Sequence, residues 1–290
     1  MAPLDFLRPF LPKKFRDKPV IIPTVRMSGP IMFSQGFRPT LSIATIAEPL
    51  RRAFSVKEAP AVAIVVNSPG GSPVQSHLIF KRIRALAEEN NKKVIVAVED
   101  VAASGGYMIA LSGDVILADR SSIVGSIGVV SAGFGFTGLI DKLGIERRVY
   151  TAGRNKVILD PFKPEKEEDI AYLKTIQAEI HDMFIDIVKS RRGEGIAGSE
   201  EEVFSGRFWT GETGQSLGLV DRIGDLRSYV RENYGDKARL KVIGAGGGLF
   251  RRPQMGGVAA SLDMESVGTG ISGRLISEME ERALWARYGL

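Results

Sequence analysis

AVAIVVNSPGGS, residues 61–72, is an unbroken apolar run that ends in a glycine turn, and the pattern returns at residues 94–106 as VIVAVEDVAASGG. Short runs with no polar alternation suit strands covered on both faces, as in a parallel sheet. Between them Leu78, Ile79, Ile83, Leu86 and Ala87 recur at helical spacing, with Lys81, Arg82 and Arg84 on the remaining face, which predicts a helix over residues 74–90. A helix from about Ser104 and a third strand at residues 114–118 (DVILA) continue the series. Alternating strands and helices joined by right-handed crossovers argue for an α/β domain.

The rest of the chain extends this core. Residues 123–140 (IVGSIGVVSAGFGFTGLI) carry no charge, but five are glycine, so a buried strand and turn is expected rather than a membrane span. A long helix is expected from about Pro164 to Arg192, with acidic residues Glu165, Glu167 and Glu168 at its start, basic Lys189, Arg191 and Arg192 at its end, and Gly193 as the stop. Its stripe of Ile170, Leu173, Ile180, Phe184 and Ile187 is long for one domain, so part of it is free to meet another subunit. The expected organisation is an N-terminal arm over residues 1–30, an α/β domain over 31–240, and a glycine-rich linker with an amphipathic tail helix (about 271–287) over 241–290.

Composition narrows the function classes. The 290 residues contain no cysteine, which excludes disulfides, zinc thiolate sites, iron–sulfur clusters and a cysteine nucleophile. A net charge of +5, without basic runs interleaved with aromatics, argues against nucleic acid as a partner. The N-terminus is broken by Pro9 and Pro12 and lacks the apolar core of a secretory signal. Its apolar tip and the basic Lys13, Lys14, Arg16 and Lys18 would suit a peripheral contact with an anionic membrane surface. The expected location is therefore cytoplasmic or peripheral at the membrane, without signal peptide or transmembrane segment.

The candidate chemistry lies at the two glycine-bearing strand ends. Ser104, in Ala102-Ala103-Ser104-Gly105-Gly106-Tyr107, has two readings: a helix N-cap, the commoner use of such a serine, or a nucleophile whose small neighbours let a substrate backbone approach. Pro69-Gly70-Gly71 is a tight turn, and it lacks the Lys-Ser or Lys-Thr of a phosphate loop. The two histidines, His77 and His181, cannot be set beside Ser104 from sequence, so a Ser-His-Asp triad has little support. Most lysines stand in charged surface contexts, such as Lys92-Lys93. Lys156, before Val157-Ile158-Leu159, is the candidate for a Ser-Lys arrangement, in which burial would favour the neutral amine that accepts a proton.

Taken in order, Asn67-Ser68-Pro69-Gly70-Gly71, Ala103-Ser104-Gly105-Gly106-Tyr107, Gly125-Ser126-Ile127-Gly128-Val129 and Gly218-Leu219-Val220-Asp221 resemble the motifs of the signal peptide peptidase A family over about residues 60–230. The resemblance implies the fold of Clp protease subunits and crotonases, built from repeated β-β-α units. It implies a serine endopeptidase acting on signal-peptide remnants or other small apolar peptides through an acyl-enzyme, without cofactor or metal. Ser104 would be the nucleophile and Lys156 the general base. The N–H groups of Gly71 and Gly105 would form the oxyanion hole, with Pro69 and Gly70 shaping its loop and Gly70, Ile127 and Val129 near the substrate. A ring- or dome-shaped homo-oligomer is implied as well, with short members lending the lysine to a neighbour.

Two departures from the family pattern stand out. Asp160 occupies a place where many members carry serine, and a carboxylate facing the lysine would oppose its role as base. The membrane anchor common in the family is not found in this sequence. Two other readings stay open: a crotonase-like enzyme acting on acyl-CoA, with Glu99 or Asp100 as the nearby acids, and a non-catalytic oligomeric scaffold.

Overall fold

The computed structural model describes residues 19–33, 40–244 and 282–289. Its frame is an eight-stranded sheet in the order β6-β5-β3-β2-β1-β8, with β4 on a branch between β3 and β7. In chain order the strands are β1 Ile21–Ser28, β2 Ala61–Ser68, β3 Lys93–Ala103, β4 Val115–Ala118, β5 Ile123–Gly125, β6 Phe208–Thr210, β7 Arg222–Ile223 and β8 Arg239–Val242. The neighbours are parallel except β5 and β6. The helices are α1 Ile43–Phe54, α2 Pro73–Asn90, α3 Gly105–Ala110, α4 Thr137–Lys142, α5 Glu167–Arg192, α6 Glu200–Val203, α7 Gly211–Ser216 and α8 Leu226–Tyr234.

The parity of the apolar runs sets the two layers. Val62, Ile64 and Val66 of β2, with Val94, Val96 and Val98 of β3, face the larger core, where Leu50 and Phe54 of α1, Ile79 and Ile83 of α2, and Phe184 and Val188 of α5 pack. The intervening Ala61, Ala63, Val65, Ile95 and Ala97 face the other side, against Leu226 and Val230 of α8. Each large aliphatic side chain buried this way contributes about 1.5–3 kcal/mol relative to exposure. Leu78, expected in the core, is exposed on α2.

Several boundaries differ from the sequence expectation. The sheet starts at Ile21 rather than at residue 31, because β1 lies between β2 and β8. At the other edge of the sheet, β8 ends at Val242. Helix α5 begins at Glu167, so Pro164 lies upstream of its first turn, and Gly193 stops it at φ 50°. Only the C-terminal part of α5 is packed, and Ile170, Leu173 and Ile180 are half-buried. Of the glycine-rich 123–140 stretch, β5 and Ser126-Ile127 are buried, but Val130, Phe134 and Leu139 are exposed. Residues 130–166 form a projecting arm and not the buried turn expected for the second half of that stretch. Lys92 is not a surface lysine: its ammonium is buried and donates to the carbonyls of Phe54 (2.8 Å) and Val56. The expected linker, most of the tail helix and residues 1–18 of the arm lie outside the described residues, and residues 282–286 are helical.

Candidate active site

The site forms where the register of β2 against β3 shifts. Val66 pairs with Val98 but Ser68 pairs with Ala102, so β3 carries extra residues opposite Asn67. Asn67 holds this bulge, its amide donating to Asp100 Oδ2 (2.7 Å) and its carbonyl oxygen accepting from the Val101 N–H (3.2 Å). Such a bulge re-aims the strand end. Here it brings Ala102–Ser104 level with the turn at Ser68–Gly70.

Ser104 follows β3 and precedes α3. Its backbone sits at φ 51° and ψ −122°, and its side chain makes no capping bond. An L-residue seldom adopts positive φ, which costs of order 1–3 kcal/mol unless its surroundings impose it. Here the Ser104 N–H donates to the Gly125 carbonyl (2.8 Å), while its own carbonyl accepts from the Met108 N–H (3.0 Å). The N-cap reading therefore fails, and the hydroxyl is left for other work.

The glycine turn lies directly against this serine. A Cβ on Gly70 would fall 2.8 Å from both the Ala103 carbonyl oxygen and Ser104 Cβ. Gly71, at φ 142°, is exposed and packs on Ile31, whose N–H donates to the Gly70 carbonyl (2.8 Å) and whose carbonyl accepts from Ser72 N–H (2.7 Å). The Gly70 N–H is used by Ser68 Oγ (3.2 Å). Gly105 is the first residue of α3, where a helix leaves its N–H groups without intrahelical acceptors. The turn at Gly70 and the nitrogen of Gly105 thus lie beside Ser104.

A cavity of about 270 Å³ opens beside Ser104, lined also by Ser126, Gly128, Val129 and His181. The imidazole of His181 lies with Nε2 3.1 Å from the Ile127 carbonyl oxygen, which accepts a hydrogen bond from it. Val129 is half-exposed in this cavity, whereas the Ile127 side chain is fully buried in the core. Gly70 is buried beneath Ser104. His181 and Ser126 were not singled out as site residues by sequence, although Ser126 lies inside a quoted motif.

Lys156 sits elsewhere in the chain. It closes an exposed turn in which its N–H donates to the Gly153 carbonyl (3.2 Å), and it is not among the residues lining the Ser104 cavity. The Asp160 carboxylate is turned to Arg147 Nε (3.4 Å) and the Phe162 N–H (3.1 Å). The remaining motif, Gly218–Asp221, is a brace. Arg192 binds Asp221 through both nitrogens (2.8 and 3.0 Å) and the Gly218 carbonyl through Nε (2.7 Å). Buried Tyr107 donates to the Leu219 carbonyl (2.8 Å), and burial pushes its phenol well above the ordinary tyrosine range. The acids Glu99 and Asp100 bind Arg26 (2.6 Å) and Asn67 and do not line the cavity. Among the described residues no cluster of three His, Cys, Asp or Glu side chains could hold a metal ion, and no helix is long and apolar enough to cross a membrane.

The family model described as "Peptidase family S49" matches residues 87–239, more than half of the chain. The chain is 57% identical over 287 residues to a protein of Brucella abortus (strain 2308) named "Na(+)/H(+) antiporter NhaA", covering 98% of this chain but 39% of that protein. It is 36% identical over 213 residues to "Serine protease SPPA, chloroplastic" of Arabidopsis thaliana, covering 71% of this chain and 31% of that one. The fold is similar to that of a ClpP1 mutant from Listeria monocytogenes, with TM-score 0.43 and 14% identity over 71% of this chain and 92% of the other. The chain thus spans well under half the length of these two sequence relatives. The chain therefore belongs to peptidase family S49, of the signal peptide peptidase A type.

Proposed function

We propose that this chain is a serine peptidase in which Ser104 Oγ attacks a peptide carbonyl. The observation that carries the reading is the serine itself: held at positive φ, uncapped, and pressed against Gly70. Attack moves the hydroxyl proton to the Lys156 amine, and the tetrahedral oxyanion is met by the N–H groups of Gly71 and Gly105. The ammonium then gives its proton to the leaving amine as the C–N bond breaks. Water, deprotonated by the same lysine, hydrolyses the ester and returns the proton to Ser104.

Lys156 would come from a second copy of the chain. Its exposure on the arm, outside the Ser104 cavity, favours that arrangement, and Asp160 is occupied by Arg147. The arm offers an apolar surface for such contact, with Phe134, Leu139, Leu143 and Tyr150 all exposed. Substrates would be signal-peptide remnants or other extended peptides with small or apolar side chains, consistent with a cavity walled by Gly128 and Val129.

Labelling by a fluorophosphonate should occur in the wild type and vanish in Ser104→Ala. Ser104→Ala and Lys156→Ala should each be inactive alone, and mixing them should restore part of the peptidase activity. Equal labelling of wild type and Ser104→Ala would reject the nucleophile, and a mixture that stays inactive would reject the shared dyad.

A second reading takes His181 as the base, because it lines the same cavity. Activity that survives Lys156→Ala but not His181→Ala would favour it.

A further inference from the structure

A cavity of about 570 Å³ lies at the end of the sheet away from Ser104, where β2 begins at Ala61 and β3 at Lys93. Arg84 of α2, Lys92 and Lys93 line it, together with Asn91 and with Tyr229 and Tyr234 of α8. Glu88 is the one acid on its wall among the described residues, so three positive charges stand against one negative. The two tyrosines are half-buried and pack on the smaller core, and neither hydroxyl has a partner among the described residues. Aromatic surface and hydroxyl donors therefore stand beside the cations.

Part of this charge serves the fold. The Lys92 ammonium closes the C-terminal end of α1 through the carbonyls of Phe54 and Val56, and Arg84 Nη1 donates to the Ser112 carbonyl (3.1 Å) and to Asp114 (2.7 Å). These bonds do not exhaust the donors. An ammonium has three N–H groups and a guanidinium five, so one on Lys92 and those at Nε and Nη2 of Arg84 are left over. The Lys93 ammonium has no bonding partner among the described residues. The last carbonyls of α2, which would repel an anion, are engaged: Leu86 accepts from the Asn90 amide (2.8 Å), Ala87 from the Lys92 N–H (2.9 Å) and Glu88 from the Asn91 N–H (3.2 Å). Burial lowers the Lys92 amine from its ordinary value, and an anion beside it would offset that lost solvation.

We propose that this cavity binds a nucleoside phosphate, with the phosphates on Arg84, Lys92 and Lys93 and the base against Tyr229 and Tyr234. Surplus cationic donors, one of them a guanidinium with two free edges, suit phosphate oxygens. Aromatic walls beside them suit a flat ring, which inorganic phosphate lacks. The volume falls in the range of about 300–1,000 Å³ usual for small-molecule sites. Ser104 follows the opposite end of β3, so this site is separate from the peptide cavity and stands whether or not Ser104 is the nucleophile.

The test measures binding without chemistry. The full-length chain is titrated calorimetrically with ADP, GDP and UDP, and at least one should bind saturably at one per chain. Its free nucleoside and inorganic phosphate should each bind roughly tenfold more weakly or worse. Lys93→Glu changes an exposed residue on the cavity wall and should weaken the nucleotide by roughly tenfold or more. Lys241→Glu makes the same charge change on β8, away from the cavity, and should leave the affinity unchanged. Tyr229→Leu should weaken the nucleotide but not inorganic phosphate. Failure of all three nucleotides to bind would overturn the site, as would inorganic phosphate binding equally well. Equal losses for Lys93→Glu and Lys241→Glu would reduce the effect to the basic charge of the chain and overturn it too. Binding to phosphatidylglycerol vesicles that needs Lys93 and that no nucleotide displaces would assign the cations to a membrane surface instead.

Discussion

A Cβ on Gly70 would stand 2.8 Å from Ser104 Cβ, closer than such atoms are found. The same Cβ would meet the Ala103 carbonyl oxygen at 2.8 Å and the Gly105 nitrogen at 2.9 Å, and Gly70 itself is at φ 101°. All but one of these neighbours are backbone atoms that cannot swing away. Gly70→Ala must therefore displace either the turn or the serine. A displacement of about 1 Å at a reacting centre costs on the order of 100-fold in rate, so fluorophosphonate labelling should slow by about that factor. Thermal unfolding should reveal a loss of about 1–3 kcal/mol. Labelling at the wild-type rate would show that the turn does not position Ser104.

The projecting arm makes a prediction about assembly. Phe134 is 82% exposed and Tyr150 91% exposed, and the proposed contact with a second copy would cover them. Phe134 and Phe136 lie with ring centroids 6.3 Å apart, and Phe136 stacks on Phe162, so the arm has a packed base of its own. Phe134→Glu should leave the circular dichroism spectrum unchanged, reduce the sedimenting species to the 31.5 kDa chain and abolish peptidase activity. An unchanged sedimentation profile would remove the arm from the interface.

What the sequence made legible followed local pattern. The unbroken valine and isoleucine runs of β2 and β3 announced strands covered on both faces, and their parity splits as that reading requires. β1 was missed because Pro23 interrupts it, and proline in a strand argues for an edge or a loop. The structure accommodates Pro23 where pairing passes from β8 alone to both neighbours, since the register with β2 begins at Thr24. The positive φ of Ser104 was hidden for a different reason. It is imposed by Gly125, Asn67 and the register shift, all distant in sequence. His181 reaches the site from a remote segment, and no local periodicity encodes such a meeting.

The brace at Gly218–Asp221 predicts a stability effect. Arg192 keeps only 11% of its side chain exposed, and Asp221 supplies it with a bidentate carboxylate while also accepting from the Ile116 N–H (2.7 Å). Breaking a buried pair costs about 3–5 kcal/mol, and the partly wet carboxylate here puts Asp221→Ala nearer 2–3 kcal/mol. Urea unfolding should show a lower midpoint with an unchanged slope. Asp221→Asn, which keeps an acceptor for Ile116, should lose less. Equal losses for the two variants would mean that the acceptor for Ile116 contributes nothing and that the whole loss lies with the charge of Asp221.

Tyr107 adds a pH dependence to the same brace. Its phenol is fully buried and donates to the Leu219 carbonyl, so the folded protein resists ionising it while the unfolded chain ionises near pH 10. A group whose folded pKa is raised contributes fully below the unfolded value, and that contribution is lost as pH rises above it. Wild-type stability should therefore fall as pH climbs past about 10. Tyr107→Phe removes the hydrogen bond and leaves a buried carbonyl without its donor, at a cost of about 1–3 kcal/mol at neutral pH. It should also flatten the alkaline limb, because no phenol at this position remains to ionise on unfolding. Paired urea titrations at pH 7 and pH 10.5 measure both effects. A variant whose stability falls as steeply as the wild type between those values would show that Tyr107 is not the group that titrates.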